Sequence, residues 1–166
     1  MMGAGKTTVG KILARRLKRR FYDSDQETER RCGVRIAVIF EIEGEAGFRA
    51  RETAALSELS ALEGIVLATG GGAVLGERNR RALQARGTVI YLRARPSDLL
   101  QRVRQDRNRP LLGGADRLGR LAELFEERDP LYREVADLVV ETGRQSPQAL
   151  ARALLQRLDE RWKLSA

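Results

Sequence analysis

The sequence of 166 residues contains no histidine and a single cysteine, Cys32. Without histidine, acid–base chemistry has to use carboxylates, lysine or water, and histidine-ligated metal sites are excluded. One cysteine excludes an internal disulfide and a metal site built from several thiolates. We interpret Cys32 as a small, half-buried thiol without a chemical role.

Long apolar runs are also missing. No stretch approaches the roughly 20 apolar residues that span a bilayer, and the N-terminus has Gly-Ala-Gly-Lys-Thr-Thr where a secretory signal would have an apolar core. The contents of 42% hydrophobic and 33% charged residues are typical of a soluble globular protein. We therefore expect a single domain, residues 1–166, with no membrane partner. We further expect the protein to be cytoplasmic and monomeric.

Lysine and aromatic residues are scarce, although the chain is strongly basic. The net charge is +8, yet only four of the 31 basic residues are lysines, and aromatic residues make up 5% of the chain. A basic protein suggests a nucleic-acid partner. Dispersed arginines with few aromatic stacking platforms argue against one, and a phosphate-bearing substrate explains part of the excess charge. We therefore expect no nucleic-acid partner.

Six residues near the start of the chain have the pattern of a phosphate-binding loop: Gly3, Ala4, Gly5, Lys6, Thr7 and Thr8. Glycines let successive N–H groups turn towards phosphate oxygens, and the helix predicted over 7–18 directs its positive end at the same anion. Lys6 then reaches the β- and γ-phosphates, and the Thr7 hydroxyl holds Mg²⁺. The alternative is a chance glycine-rich turn before an amphipathic helix.

The motif is incomplete on its N-terminal side. Its first glycine would fall one position before Met1, and the apolar strand that precedes such a loop has no counterpart in the sequence. We therefore expect this chain to be an incomplete form of the protein that starts inside its own nucleotide site. An extension that encodes an apolar strand and a glycine is expected to raise stability and activity.

Short apolar strands alternate with amphipathic helices along the rest of the chain. Strands are predicted at 21–23, 65–68, 88–92 and 138–140. Helices are predicted at 7–18, from 26 onwards, at 36–42, 45–62, 77–85, 96–104 and 118–128, and around 150–158. This alternation predicts an α/β fold with three layers, in which a parallel sheet lacking its first strand has helices on both faces.

Polar residues and glycines follow two of the predicted strands. Asp23-Ser24-Asp25 ends the first strand, and a carboxylate there points into the ligand crevice of an open α/β sheet. Asp25 could instead, or in addition, N-cap the following helix. Gly70-Gly71-Gly72 follows the second strand, where three successive glycines let the backbone approach a ligand closely.

Six motifs occur in a defined order: Met2 to Thr8, Asp23-Ser24-Asp25, Gly47-Phe48-Arg49 with Glu52, Gly70-Gly71-Gly72-Ala73, Arg109-Pro110-Leu111-Leu112, and Arg128-x-Pro130-Leu131-Tyr132. In this set the chain resembles the shikimate kinases, over nearly its whole length. The resemblance implies a P-loop kinase fold and ATP-dependent phosphorylation of the shikimate 3-hydroxyl, giving shikimate 3-phosphate for aromatic amino-acid (chorismate) biosynthesis. ATP and shikimate are then the substrates, and Mg²⁺ is the cofactor.

The resemblance also implies roles for individual residues. The substrate-binding residues, many of them in the region 25–62, are Asp25, Phe40, Phe48, Arg49, Gly70, Gly71, Gly72 and Arg128. The nucleotide-binding residues are those of the loop, Gly3 to Thr8, with Arg102, Arg109 and Pro147. The catalytic residues are Lys6, Asp25 and Arg109. Mg²⁺ is expected on Thr7 and Asp23.

Physical chemistry agrees with these roles. A carboxylated, hydroxylated ring calls for two-point arginine contacts to its carboxylate and an aspartate for its hydroxyls, and Asp25 can accept the proton of the attacking hydroxyl. The resemblance also implies that Glu52 orients the substrate-binding arginines. Residues 104–118 have the composition of a lid, which would bring Arg109 to the phosphates only when both substrates are bound.

Two other functions remain open from the residues alone. The first is another small P-loop kinase, such as a gluconate kinase, against which Gly70-Gly71-Gly72 and Arg109-Pro110-Leu111-Leu112 argue. The second is a non-catalytic P-loop module that binds nucleotides or nucleic acid, which the basic charge favours. Substrate competition distinguishes the first, and salt-sensitive retention on nucleic acid without ATP turnover distinguishes the second.

Overall fold

A computed structural model of the chain describes residues 1–103, 116–143 and 145–164. Within these ranges short strands alternate with helices from the first helix onwards. The helices are α1 (Lys6–Leu17), α2 (Ser24–Cys32), α3 (Ile36–Leu59), α4 (Glu77–Arg86), α5 (Pro96–Val103), α6 (Arg117–Val135) and α7 (Pro147–Leu164). The strands are β1 (Arg20–Asp23), β2 (Ile65–Ala68), β3 (Ile90–Arg93) and β4 (Leu138–Glu141).

Helix α1 illustrates how the apolar pattern places an element. Val9, Leu13 and Ala14 recur at helical spacing and are buried. The helix lies against β1 and β2 and also packs on α7. It ends at Lys18, which adopts a left-handed conformation with a φ of 54°. β1 begins at Arg20, three residues after the end of α1, so the packing of α1 fixes the direction in which β1 leaves the helix.

Two helices end at residues other than those predicted. The predicted helices at 36–42 and 45–62 are present as the two segments of α3 on either side of Gly44, whose φ of 69° and ψ of −174° are not helical, and the second segment ends at Leu59. The predicted end of a helix at residue 128 is wrong, because α6 continues through Pro130 to Val135. Proline normally costs a helix interior about 3 kcal/mol. The buried residues Tyr132 and Val135 pack the last turns and offset that cost.

The strands form two parallel pairs. β1 pairs with β2 so that Arg20 lies opposite Ile65, and β3 pairs with β4 so that Ile90 lies opposite Leu138. The parallel direction agrees with the prediction. The predicted sheet, which lacks one strand, is present as two separate pairs, and no ladder joins the pairs within the described residues.

A cavity, here called the interstrand slot, lies between the two pairs. It has a volume of about 850 Å³ and is lined mainly by apolar residues, among them residues 65–68 of β2 and 90–92 of β3. Met1 also lines it and is 1% exposed. Paired strands lie about 4.8 Å apart, so β2 and β3, with a cavity of this size between them, are too far apart to share a ladder.

A cluster of buried apolar side chains joins helices and strands around this slot. It includes Leu13 from α1, Tyr91 from β3, Leu121 from α6 and Leu154 from α7. In the described part of the chain, no helix combines the length and the apolar character needed to cross a membrane. Of the predicted lid, 104–118, residues 104–115 lie outside the described residues, whereas Asp116 caps α6 and the next two residues begin it.

Candidate active site

The loop before α1 and the start of that helix form the first part of the site. Gly3 and Gly5 have φ angles of 72° and 90°, in the left-handed region that favours glycine. Gly5 is the N-cap of α1 and provides no capping side chain. The first N–H groups of the helix therefore have the orientation and the positive dipole end that favour a bound anion. This agrees with the predicted phosphate loop.

Lys6 follows the loop and folds back over it. Its Nζ donates a hydrogen bond to the Met1 carbonyl at 2.7 Å. The lysine therefore lies beside the backbone that the sequence assigns to phosphate binding, which is where a cation can contact the same oxygens as the loop N–H groups.

The two predicted metal ligands lie next to each other. The Thr7 hydroxyl donates to Asp23 Oδ2 at 2.7 Å. Hydroxyl and carboxylate oxygens are the hard donors that Mg²⁺ prefers, so this pair fits the cofactor that the sequence implies. In the part of the chain that the structure describes, no cluster of three or more His, Cys, Asp or Glu residues is placed to hold a metal ion.

Asp23 has a second role, which corrects one expectation. Its Oδ1 accepts hydrogen bonds from the backbone N–H groups of Asp25, at 3.1 Å, and Gln26, at 3.5 Å, so Asp23 is the N-cap of α2. The alternative in which Asp25 caps this helix is wrong. Asp25 instead lies in the first turn of α2, and its side chain is available for other contacts.

Asp25 is the most perturbed carboxylate of the site. Its Oδ1 is buried and has no hydrogen-bond partner among the described residues. Burial, together with the charges of Glu52 and Asp23, raises the pKa of Asp25 from 3.8 to about 6, against the opposing effect of Lys6 and Arg49. A buried carboxylate with a pKa close to neutrality can exchange a proton with a substrate hydroxyl.

Arg49 and Glu52 form an ion pair one turn apart on α3. Arg49 Nη1 donates to Glu52 Oε2 at 2.7 Å, while its Nε and Nη2 contact Glu45 Oε1 at 3.2 and 2.9 Å. Glu52 is 1% exposed, and its other oxygen, Oε1, has no hydrogen-bond partner among the described residues. The pairing of Glu52 with Arg49 that the sequence suggests is therefore present.

Two aromatic rings lie beside this arginine. The rings of Phe40 and Phe48 have centroids 4.9 Å apart, and the Arg49 guanidinium carbon lies 5.1 Å from the Phe48 centroid. Phe48 is 4% exposed. The two predicted wall residues therefore form one apolar surface next to a cation, which suits an anionic ring compound better than an apolar one.

The glycine run, Gly70-Gly71-Gly72, passes between these charged groups. A Cβ atom at Gly70 would collide with Asp25 Oδ1 and Glu52 Oε1, and one at Gly72 would collide with the Arg49 guanidinium. At Gly71 it would meet the Met2 backbone nitrogen at 3.2 Å. The sequence needs glycine here because the backbone approaches three side chains and the phosphate loop within contact distance.

Arg128 contacts the same glycine run from α6. Its Nη1 donates to the Gly71 carbonyl at 3.0 Å, and the residue is 2% exposed. Its Nε is buried without a hydrogen-bond partner among the described residues and lies 3.9 Å from Glu127 Oε2. Burial lowers the pKa of Arg128. A buried guanidinium with an unused donor is a candidate for binding an anionic ligand group.

The polar cluster, as we call it, comprises four charged side chains around the glycine run: Asp25, Arg49, Glu52 and Arg128. Chain segments far apart in sequence supply these groups to one place beside the phosphate loop.

The predicted nucleotide residues Arg102 and Pro147 are placed separately. Arg102 donates to the Thr142 and Gly143 carbonyls at 3.1 and 2.8 Å, and Pro147 begins α7. Arg109 lies outside the described residues.

Sequence reasoning missed two residues that hold this cluster together. The Ser24 hydroxyl accepts a hydrogen bond from Gly70 N–H at 2.9 Å, and Ser24 is fully buried. Tyr132 donates to the Gly71 carbonyl at 2.6 Å. The signal for Tyr132 was its spacing of four residues from Arg128, which places both on one helix face once α6 is known to continue through Pro130.

A glycine-rich loop at a helix N-terminus, a cation on the loop, an adjacent hydroxyl–carboxylate pair and parallel α/β units define a kinase of the P-loop class. The family model for shikimate kinase matches residues 2–159. The chain belongs to the shikimate kinase family and is a phosphotransferase.

Individual relatives agree with this assignment. The chain is 60% identical over 159 residues to a shikimate kinase of Cupriavidus pinatubonensis, covering 96% of this chain and 83% of that protein. It is 58% identical over 159 residues to a shikimate kinase of Thiobacillus denitrificans, covering 96% and 87%. A solved shikimate kinase from Acinetobacter baumannii in complex with shikimate has a TM-score of 0.95 at 49% identity, covering 96% and 89%.

Proposed function

We propose that the chain transfers the γ-phosphoryl group of ATP to the 3-hydroxyl of shikimate, giving shikimate 3-phosphate and ADP for aromatic amino-acid biosynthesis. One observation supports this best. The buried Asp25 carboxylate, with a raised pKa, and two arginines lie together beside a phosphate loop. The names of the relatives and the shikimate-bound homologue point to the same substrate.

Shikimate has a carboxylate and three ring hydroxyls, and the polar cluster offers a partner for each kind of group. Arg49 and Arg128 would bind the carboxylate, since guanidinium donors match carboxylate oxygens in two-point contacts. Asp25 and the backbone of the glycine run would bind hydroxyls. Phe40 and Phe48 would lie against the ring and exclude water.

Asp25 has the central chemical role in this proposal. Its carboxylate accepts the proton of the 3-hydroxyl as that oxygen forms its bond to the γ-phosphorus, and the bond from the γ-phosphorus to the bridging oxygen of ADP breaks. Phosphoryl transfer depends mainly on positioning and charge stabilisation. The raised pKa of Asp25 makes it a better base than an exposed aspartate, and it still ionises below neutral pH.

The phosphates would be held by the loop and its neighbours. N–H groups of Gly3 to Lys6 and the Lys6 ammonium would contact phosphate oxygens, and Thr7 and Asp23 would hold Mg²⁺. When bound, this ion supplies positive charge to the phosphate oxygens. Arg102 and Pro147 are proposed to lie on either side of adenine, and Arg109 to reach the phosphates when the lid closes.

A coupled assay of ADP release tests the function directly. We expect turnover that depends on shikimate, ATP and Mg²⁺, and a product whose phosphate is on the 3-oxygen by ³¹P and ¹H NMR. Gluconate in place of shikimate serves as the comparison and should give background ADP release. Turnover with gluconate and none with shikimate would contradict the proposal.

The remaining proposals concern the setting of the reaction. We propose that the protein acts in the cytoplasm as a monomer and without nucleic acid. Size-exclusion chromatography with light scattering tests whether the protein is a monomer. Retention on nucleic acid at 0.15 M salt, in the absence of ATP turnover, would instead favour a nucleic-acid-binding role.

A further inference from the structure

One backbone carbonyl in the polar cluster accepts two hydrogen bonds from a single helix. The Gly71 carbonyl accepts from Tyr132 Oη at 2.6 Å and from Arg128 Nη1 at 3.0 Å. Both donors lie on α6, one turn apart, so they reach the glycine run from the same face. The carbonyl is therefore the point at which α6 is fixed to the substrate side of the site.

We infer that Tyr132 is a positioning residue for the anionic substrate, acting through Arg128 and the Gly71 peptide. The inference rests on the proposed function. Arg128 uses Nη1 to hold the Gly71 carbonyl, and its buried Nε remains without a hydrogen-bond partner among the described residues. Tyr132 holds the acceptor on which the guanidinium is anchored. Losing that bond lets the peptide and the guanidinium move together.

The surroundings of Tyr132 make its hydroxyl a permanent donor. The residue is 6% exposed, and its ring stacks on Tyr91 with centroids 4.6 Å apart and an interplanar angle of 18°. Burial raises the pKa of Tyr132, with Arg128 opposing and Glu52 adding to the effect. The hydroxyl therefore stays protonated at neutral pH, and the stacked ring limits the directions in which it can point.

The Gly71 peptide also contacts the nucleotide side of the site. A Cβ at Gly71 would meet the Met2 nitrogen at 3.2 Å and the Met1 carbonyl carbon at 3.7 Å. The glycine run therefore packs directly on the phosphate loop. A hydroxyl that holds this peptide also fixes the position of Arg128 relative to the phosphate loop. This position is important because an error of about 1 Å at a reacting centre can cost about 10²-fold in rate.

The stacked partner provides a matched control. Tyr91 is buried in the same ring pair, but its hydroxyl donates to Asp129 Oδ1 at 2.8 Å and not to the glycine run. Tyr132→Phe and Tyr91→Phe each remove one buried hydroxyl and preserve the stack. A purely structural role would give both variants the same effect on melting temperature and no effect on substrate affinity.

The first experiment compares these variants with the wild type in steady-state kinetics and in calorimetric titration with shikimate. We expect Tyr132→Phe to raise the shikimate KM and Kd about 5- to 10-fold, the scale of one net hydrogen bond, and to leave the ATP KM within about twofold. Tyr91→Phe should leave both substrate constants within about twofold. Equal shikimate constants for the two variants would overturn the inference.

The second experiment asks whether Tyr132 acts through Arg128. In a double-mutant cycle with Arg128→Lys, the tyrosine substitution should add less than about twofold to the loss already caused by the arginine change. Full additivity would overturn the inference, because Tyr132 would then contribute independently of Arg128. A wild type that neither binds nor phosphorylates shikimate would overturn the proposed function together with this inference. A wild type that turns over shikimate, beside an unaffected Tyr132→Phe, would overturn this inference alone.

Discussion

The polar cluster and the interstrand slot are neighbouring regions with opposite construction. In the polar cluster, directed hydrogen bonds join α2 and α6 to the glycine run and pair Arg49 with Glu52 within α3. A Cβ at Gly70 would collide with two carboxylate oxygens, one from α2 and one from α3. The slot has a volume of about 850 Å³, and mainly apolar side chains line it without a strand ladder between β2 and β3. Met1 and Tyr132 contribute to the lining of the slot and lie close to the glycine run.

The difference between directed hydrogen bonds in the polar cluster and apolar contacts in the slot predicts where the chain tolerates added atoms. Directed bonds between charged groups depend on distances within a few tenths of an ångström, so one methyl group in the polar cluster displaces several partners. Apolar contacts are individually weak and non-directional, so a side chain that grows into the slot gains contacts at little cost. Substitutions of similar size should therefore have opposite consequences in the two regions.

The largest effect is expected for Gly70→Ala. The new methyl group displaces Asp25 and Glu52 together, which removes the proposed base and the partner of Arg49 in one change. We expect kcat/KM for shikimate to fall about 10³-fold or more, while ATP affinity changes little. Steady-state kinetics and nucleotide titration measure the two effects.

Gly87→Ala is the matched control for this substitution. Gly87 has extended backbone, and a Cβ there has nothing within 4 Å. Its kinetic constants should stay within about twofold of the wild type. A Gly70→Ala enzyme with normal shikimate kinetics would mean that the carboxylates tolerate displacement and that the close approach has no functional role.

Asp25→Asn is expected to lower kcat about 10²-fold and to leave ATP binding largely intact. Burial raises the pKa of Asp25 to about 6, so wild-type kcat/KM should fall about tenfold per pH unit below pH 6, where the carboxylate becomes protonated. The residual activity of Asp25→Asn should lack this acidic limb. A variant with near-normal kcat would remove Asp25 from the chemistry.

The same residue links activity to stability. The pKa of Asp25 in the folded state lies above its ordinary value of 3.8, so folding favours the protonated form. Its contribution is fully present below pH 3.8 and is lost as the pH rises through about 6. Asp25→Asn should therefore melt at a higher temperature than the wild type at pH 8, and this difference should shrink towards pH 4.

Arg49→Lys is expected to weaken shikimate binding by about 2 kcal/mol, or roughly 30-fold in KM, because an ammonium cannot reproduce a planar two-point contact. The ATP KM should stay within about twofold. Arg51→Lys is the control, since Arg51 is on the same helix and also binds a glutamate through two nitrogens, but its side chain is 46% exposed. An unchanged shikimate KM with a raised ATP KM for Arg49→Lys would contradict the proposed role of Arg49 in binding the shikimate carboxylate.

The smallest effect is expected in the slot. Val66→Ile adds one methyl group to a residue of β2 that lines the cavity, so the free energy of unfolding should change by less than about 1 kcal/mol and activity should not change. Ala55→Val adds atoms to a fully buried helix position outside the slot lining and should cost about 1–3 kcal/mol. Chemical denaturation measures both. Equal losses would show that the slot cannot accommodate additional atoms.

Sequence reasoning predicted much of the site because local motifs place their own residues. The phosphate loop and the glycine run after β2 are each contained in a few consecutive residues, and Thr7 and Asp23 each belong to one such local motif, a loop–helix start and a strand end. Backbone conformation and strand direction then fix where such residues point. The parallel pairing of the strands followed from the alternation of short apolar strands with helices.

Other features depended on contacts between distant segments. The continuation of α6 through Pro130 could not be predicted from local propensity, because the packing of Tyr132 and Val135 offsets the cost of the proline. That continuation placed Tyr132 beside Arg128 and on the Gly71 carbonyl. The role of Asp23 as the cap of α2 likewise depended on which of two nearby carboxylates reached the helix end.

The sequence by itself determined the alternation of elements and the family, and it predicted the phosphate loop and the residues to which we assign the proposed chemistry, since these follow from residue types at short spacing. Only the tertiary structure decided which strands share a ladder, that a slot of about 850 Å³ separates β2 from β3, and that burial raises the pKa of Asp25 to about 6. Those properties depend on the dielectric surroundings and distances created when segments far apart in the chain pack together.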